Sequence, residues 1–230
     1  YPLETCKRIA AMKPAAPDFA LMWDNAYCIH TFEGEDIAFP DMIGLCREAG
    51  NPDLVYEFAS TSKVTLAGAG VSCMAASVEN IKYVLSLMTF QTIGPNKVNE
   101  LMHVRFLKNA ENTHAHMKKH AAFMKPKFDL VCEALEKEID PLEIASWHRP
   151  KGGYFVSINL MHGTAKRVVS LCKEVGVALT GAGATYPGGV DPDDTNLRIA
   201  PSYPPLSEVK QAMDVFCVCV KLATLEKLLA

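Results

Sequence analysis

Glu57-Phe58-Ala59-Ser60-Thr61-Ser62-Lys63-Val64-Thr65-Leu66-Ala67-Gly68-Ala69-Gly70 is the stretch on which the reading of this chain turns. It continues an apolar run, Leu54 to Ala59, set off by Pro52-Asp53, and so predicts a buried strand. The strand opens into small hydroxylated residues and a lysine. Thr65 and two glycines follow, then a second apolar run from Val71 to Ala76. A lysine at the mouth of a buried strand is costly to desolvate as a cation, which lowers its pKa. Such a lysine is the nucleophile of Schiff-base chemistry. The pattern describes equally well a loop lysine whose ammonium snorkels to solvent, and the stretch by itself does not separate the two.

Working outward, Asp18 to Trp23 predicts a short buried strand running directly into Asp24-Asn25-Ala26-Tyr27. Polar groups just past the carboxyl end of such a strand lie where open α/β sheets bind ligands. The plain alternative for Asp24 is a turn cap. Helices are expected over 2–12, 41–48 and 78–90, the last with Ser77 as its N-cap. Their alternation with strands predicts a layered α/β domain. Gly94-Pro95-Asn96 breaks the pattern, and a long helical stretch follows from about Lys97 to Lys137, with interruptions expected near Asn109 and at Pro126. Strand pairs within 144–161, a helix over 164–175 closed by Gly176, short strands at 177–180 and 197–200, and a helix over 206–229 make up a second, smaller α/β region. Two domains are therefore expected, 1–110 and 111–230.

Composition narrows the function classes. The 230 residues suffice for one large domain or two modest ones. A net charge of −3 gives no reason to expect a nucleic-acid partner, and no apolar run reaches membrane-spanning length. The eight cysteines show no metal-site or redox spacing, and most sit in apolar segments. A reducing, cytoplasmic setting is expected. His116 and His120 are four apart on one helix, but Lys118 and Lys119 between them would repel a cation, so His114, His116 and His120 read as a solvated face. Asp191, Asp193 and Asp194 fail the spacing of a calcium loop and read as a turn-rich surface loop. Gly181-Ala182-Gly183-Ala184 lacks the third glycine of a dinucleotide turn. No metal is expected. Arg198 is a lone arginine in the apolar run Asn196-Leu197-Arg198-Ile199-Ala200. Its planar fork suits a carboxylate, and a structural ion pair with one of the chain's own acids is the equal alternative.

Taken in order, Asp24-x-x-Tyr27, Ser60-x-Ser62-Lys63 and Asn196-x-Arg198 form a set that resembles the class I, fold type I aminotransferases that use pyridoxal 5′-phosphate (PLP). Within them it is most like the aspartate-aminotransferase-like branch whose lysine loop reads S-T-S-K followed by A-G-A-G. The resemblance runs over essentially the whole chain. It implies that Lys63 forms the Schiff base with the cofactor and carries the proton. Asp24 would pair with the pyridinium nitrogen, Tyr27 would bond the phenolate oxygen, Ser60 and Ser62 would meet the phosphate, and Arg198 would clamp the substrate α-carboxylate. The implied reaction moves an amino group between an amino acid and a 2-oxo acid, in a homodimer. A ligand-sensing domain of a transcription regulator and a PLP lyase are the alternatives.

Two departures qualify this resemblance. Relatives often carry a phosphate-binding arginine a few residues after the lysine, where this chain has Ala69-Gly70-Val71. Ser72 or main-chain N–H groups of the glycine turn are expected to serve instead. The family's N-terminal features, among them its glycine-rich phosphate loop and the aromatic that stacks on the cofactor, have no counterpart ahead of Tyr1. The expectation is thus the C-terminal part of an aminotransferase: part of a three-layer αβα large domain followed by the small C-terminal α/β domain. By itself it should be inactive.

Overall fold

The computed structural model describes residues 1–32 and 37–230 and divides into two compact units. The first takes in Tyr1–His30 and Asp36–Met117, the second Thr31–Glu35 and Lys118–Ala230. Both are mixed α/β. Among the described residues no helix is long and apolar enough to cross a membrane.

The first unit is built on a three-stranded sheet in the order β1 (Leu21–Asp24), β2 (Val55–Ser60), β3 (Ser72–Ala76). β1 and β2 are parallel, with Leu21 opposite Val55 and Asp24 opposite Phe58. β3 runs antiparallel to β2, pairing Ser72 with Ser60. α1 (Leu3–Ala10) and α2 (Met42–Glu48) bury Cys6, Ala10, Met42 and Cys46 against Leu54 and Val55, with Leu21 and Trp23 packed at the edge. Asp41 starts α2 by accepting from the Gly44 N–H at 2.8 Å. The strands are not buried on both faces as the sequence suggests. β1 alternates half-buried and exposed residues, because α1 and α2 supply one apolar layer and Met22 and Phe58 stay exposed. Ser77 caps α3 (Val78–Gln91) through the Asn80 N–H and also donates to Asp53. Asn96 caps α4 (Lys97–Leu107) through the Asn99 N–H.

α5 (Ala110–Glu138) follows a break at Lys108, whose φ is +60°, and Asn109 Oδ1 accepts from the Asn112 N–H. The interruption expected at Asn109 is therefore present, but the one at Pro126 is not: α5 continues through the proline. A mid-helix proline costs about 3 kcal/mol. The buried stripe Met124, Phe128, Val131, Leu135 and Ile139 on either side offsets that cost, since a fully buried large apolar side chain contributes roughly 1.5–3 kcal/mol.

The second unit holds an antiparallel sheet of β4 (Ala145–Trp147), β5 (Val156–Leu160) and β6 (Asn196–Ile199). Its apolar face, Val156, Ile158, Leu160, Leu197 and Ile199, shares a core with that stripe of α5, with α6 (Ala165–Glu174) and with α7 (Leu206–Leu229). α7 buries Val209, Met213, Phe216 and Val220 at helical spacing. Gly176, at φ +89°, ends α6, with the Val177 N–H returning to the Cys172 carbonyl at 2.8 Å. The strand expected at 177–180 does not form: the chain leaves this cap as irregular structure.

Candidate active site

β1 and β2 end side by side, and the segments that continue them are pinned together. The Asn25 N–H donates to the Phe58 carbonyl (2.8 Å), and Asn25 Nδ2 donates to Glu57 Oε1 (2.7 Å). Asp24, the last residue of β1, turns the chain by accepting the Ala26 N–H at 3.1 Å on Oδ1. This is the Asx-turn geometry weighed from the sequence. It leaves Oδ2 without a hydrogen-bond partner among the described residues. Asp24, Asn25 and Tyr27 line a cavity of about 640 Å³ together with Tyr1, Trp23 and Phe39. The Tyr27 ring stands edge-on to that of His30, with centroids 5.5 Å apart. His30 Nε2 in turn meets the Lys63 carbonyl at 3.1 Å. Because a carbonyl only accepts, that nitrogen carries the proton. Burial pushes the His30 pKa below its ordinary value, which favours the neutral ring.

The lysine stretch leaves β2 as a single turn. The Val64 and Thr65 N–H groups both donate to the Thr61 carbonyl at 2.9 Å, and the Thr61 N–H reaches the Val71 carbonyl at 2.9 Å, closing the loop onto β3. Ser60 Oγ lies 2.7 Å from Ser62 Oγ and accepts the Ser62 N–H at 3.1 Å. The two hydroxyls implied as phosphate ligands are thus brought together, and Ser72 lies opposite Ser60 across the β2–β3 ladder. Gly70 passes so close that a Cβ there would sit 2.5 Å from Ser62 Oγ and 2.9 Å from the Ser62 nitrogen. Of the two readings of Lys63 that the sequence left open, a desolvated amine and a loop lysine reaching solvent, the structure shows the second: Lys63 is exposed.

Arg198 belongs to the second unit, on β6 opposite Ser157. The structural ion pair set against the clamp does not form among the described residues. The guanidinium lies over the Phe155 ring, 4.3 Å from its centroid, and its Nε is buried without a hydrogen bond. Stacking holds a guanidinium plane and leaves its in-plane donors for an anion. Two residues earlier, buried Asn196 donates to Asn159 Oδ1 (2.7 Å) and Ser157 Oγ (3.0 Å) and accepts from Thr185 Oγ1 (2.7 Å). Its own N–H goes to Asp191 Oδ2 at 2.8 Å. Asp191 is therefore not part of a solvated surface loop. It is buried and also accepts the Thr195 and Asp193 N–H groups, and these bonds, that from Asn196 foremost, hold its carboxyl below the usual range. His116 is not simply solvated either, since its Nε2 meets the Val64 carbonyl at 2.7 Å. Among the described residues no cluster of His, Cys, Asp or Glu is arranged to hold a metal.

Comparison with known proteins places this geometry. The model of the aspartate amino-transferase family matches residues 1–230. An aspartate aminotransferase of Corynebacterium glutamicum is 49% identical over 223 residues, 97% of this chain and 52% of that protein. The crystal structure of an aspartate transaminase from the same organism superposes with a TM-score of 0.94 at 48% identity, over 98% of this chain and 53% of that one. The α-aminoadipate aminotransferase LysN of Thermus thermophilus, solved with N-(5′-phosphopyridoxyl)-L-leucine, shares the fold at 22% identity. Its TM-score is 0.76, over 97% of this chain and 55% of its own. The chain spans about half the length of the curated relatives it matches. Matched by the family model from its first residue to its last, and by near half-identical relatives along almost all of its length, this chain belongs to the aspartate aminotransferase family.

Proposed function

We propose that this chain supplies the cofactor lysine and the substrate arginine of a PLP-dependent aminotransferase, which moves an amino group between an amino acid and a 2-oxo acid and works as a homodimer. Residues 1–110 would belong to its PLP-binding domain and 111–230 to its small domain. The observation that carries the reading is the meeting of Ser60, Ser62 and Lys63 on one tight turn at the carboxyl end of β2, beside the carboxyl end of β1 where Asp24 sits. That end of parallel strands is where α/β sheets take ligands.

The residues fit the cofactor on three counts. A pair of hydroxyls 2.7 Å apart, next to a glycine that leaves no room for a Cβ, suits a phosphate. A carboxylate with one oxygen unbonded, in a cavity with a tyrosine, suits a protonated ring nitrogen. An amine on the adjoining turn suits an aldehyde. When bound, PLP supplies an electron sink for charge developing at the substrate α-carbon.

The chain's own groups would do the rest. Asp24 would hold the proton on the ring nitrogen through a charge-assisted hydrogen bond. The Tyr27 hydroxyl would serve the ring oxygen. Ser60 and Ser62, with Ser72 across the ladder, would anchor the phosphate in place of the arginine that relatives often carry. Lys63 Nζ takes and returns the α-proton as general base and acid. Arg198 would grip the α-carboxylate with its fork. Phe155 holds the guanidinium plane while it does so.

Borohydride reduction of the intact protein with PLP, followed by peptide mapping, tests the assignment. Lys63 should carry the label, and Lys63→Ala should fold and lose transamination. Label on a different lysine refutes it.

A further inference from the structure

Three histidines hold the turn that bears Lys63. The Lys63 and Val64 carbonyls, which a longer helix would satisfy internally, are met by His30 and His116. His103, on α4, does something different: it reaches side chains on both flanks of the lysine. Its Nε2 lies 3.0 Å from Thr61 Oγ1 and 2.8 Å from Thr65 Oγ1, and its Nδ1 lies 2.9 Å from the Asn99 carbonyl.

The Asn99 carbonyl can only accept, so Nδ1 is protonated; in that tautomer Nε2 accepts from a threonine hydroxyl. Thr61 Oγ1 is also the acceptor for the Val71 N–H at 2.8 Å, which leaves its own proton for His103. Nε2 has one lone pair, so the two hydroxyls share it; the Thr65 hydroxyl, at 2.8 Å the nearer, turns to the Thr61 carbonyl at 3.2 Å when Thr61 holds the ring nitrogen. The same helix binds the far side of the loop, where Asn99 Nδ2 donates to the Ala69 carbonyl at 2.8 Å. His103, Thr65 and His116 lie in the wall of a pocket of about 330 Å³ otherwise lined by Leu66, Ala69, Met102 and Phe106.

We propose that His103 is a positioning residue for Lys63. By clasping Thr61 and Thr65 together it fixes the turn from which the amine projects, and so sets where Nζ meets the cofactor. The proposal rests on the reading of Lys63 as the cofactor lysine. It goes beyond that reading in assigning the aim of the amine to a side chain on a separate helix. His103 touches neither cofactor nor substrate in this account; it acts through the threonines.

The test compares intact wild type with His103→Ala, His103→Gln and Thr65→Val, and uses the exposed His162→Ala as a control. Two quantities are read: the rate at which PLP and borohydride label Lys63 in cofactor-stripped protein, and kcat and KM for the amino acid. His103→Ala should slow Lys63 labelling about tenfold and lower kcat about 10- to 100-fold, the cost of a roughly 1 Å misplacement, with KM changed less than about twofold. His103→Gln, which keeps a hydrogen-bonding group at the end of the side chain, should restore most of both quantities, and His162→Ala should change neither. If His103→Ala does not fold, Thr65→Val, which keeps the side-chain shape, should still slow labelling and lower kcat. Wild-type labelling and kcat in His103→Ala, or in Thr65→Val should His103→Ala not fold, overturn the proposal. So do losses matched by loss of folded protein and not rescued by Gln. Wild type that fails to label at Lys63 overturns the underlying reading instead, and is told apart because no substitution is involved.

Discussion

Gly70→Ala probes how closely the lysine turn is packed. Gly70 does not have a positive φ, so alanine there meets no backbone strain, and the perturbation is purely one of space. The added Cβ would fall 2.9 Å from the Ser62 nitrogen and 3.0 Å from its Cα, where ordinary contact begins at 3.4 Å. The Ser62 main chain must therefore retreat by about 0.5 Å. Rotating the hydroxyl relieves the 2.5 Å approach to Ser62 Oγ but not the approach to the backbone. Overpacking of this kind costs about 1–3 kcal/mol. If the cost falls on the form that grips the phosphate, cofactor affinity drops about 5- to 150-fold. Gly68→Ala is the matched control: its φ is +79° and nothing lies within 4 Å of the added Cβ. It should lower stability by about 1–2 kcal/mol and leave cofactor affinity near wild type. Absorbance titration of the intact protein with PLP, alongside thermal melts, separates the two effects. Wild-type affinity in Gly70→Ala, or equal weakening by both changes, would show that the approach of Gly70 to Ser62 does not shape the phosphate site.

Two further outcomes are expected. Arg198→Ala should raise KM for the amino acid and for the oxo acid alike, by about 10- to 100-fold if one charge-assisted carboxylate contact is lost; an unchanged KM for both removes the clamp. Asp191 titrates below the usual carboxylate range in the folded chain because of the Asn196, Thr195 and Asp193 N–H groups. Its contribution to stability is therefore present above the unfolded carboxyl pKa of about 3.9 and is lost as pH falls through the lower folded value. The difference in Tm between wild type and Asp191→Asn should be largest near neutrality and shrink below about pH 4, and a difference independent of pH contradicts this.

Much of the fold was legible because it is written in local chemistry. Ser77 starts α3 and Gly176 ends α6 as their residue types require. Where reading failed, tertiary context had overridden local preference. Pro126 did not break α5, because the packed stripe on both sides outweighs one lost hydrogen bond. Asp18 to Trp23 reads as a buried strand, but β1 alternates, since helices cover one face of a short sheet. The site divides in the same way. Lys63, Ser60 and Ser62 are contiguous and could be read together, whereas His30, His103 and His116 hold that turn from positions remote in sequence, with no spacing to betray them. Thr61 and Thr65, placed symmetrically about Lys63, were the only local sign that something clasps the turn. Asp191 was misread because an acidic, glycine-rich segment looks solvated, and only the fold reveals that its carboxylate turns inward onto N–H groups.

The sheet that carries Arg198 has two unlike faces. Leu197 and Ile199 point to the core, while Asn196 and Arg198, alternate residues of one strand, share the opposite face with Ser157 and Asn159 across the ladder. None of the three strands contributes an aspartate or glutamate. On the polar side of the sheet the side chains of Asn196, Ser157 and Asn159 bond one another through amides and a hydroxyl, while the Asp191 carboxylate takes the Asn196 main-chain N–H. An aspartate in place of Asn196 would be close to it in size. It would turn a donor into an acceptor against Asn159 Oδ1, and would set a negative charge one alternation from the guanidinium. The nearby Asp191 carboxylate is bonded to the Asn196 main chain rather than to the guanidinium, so no side chain of the strands sets a negative charge beside Arg198. Under the proposed role, the positive charge of Arg198 is what the substrate carboxylate would meet.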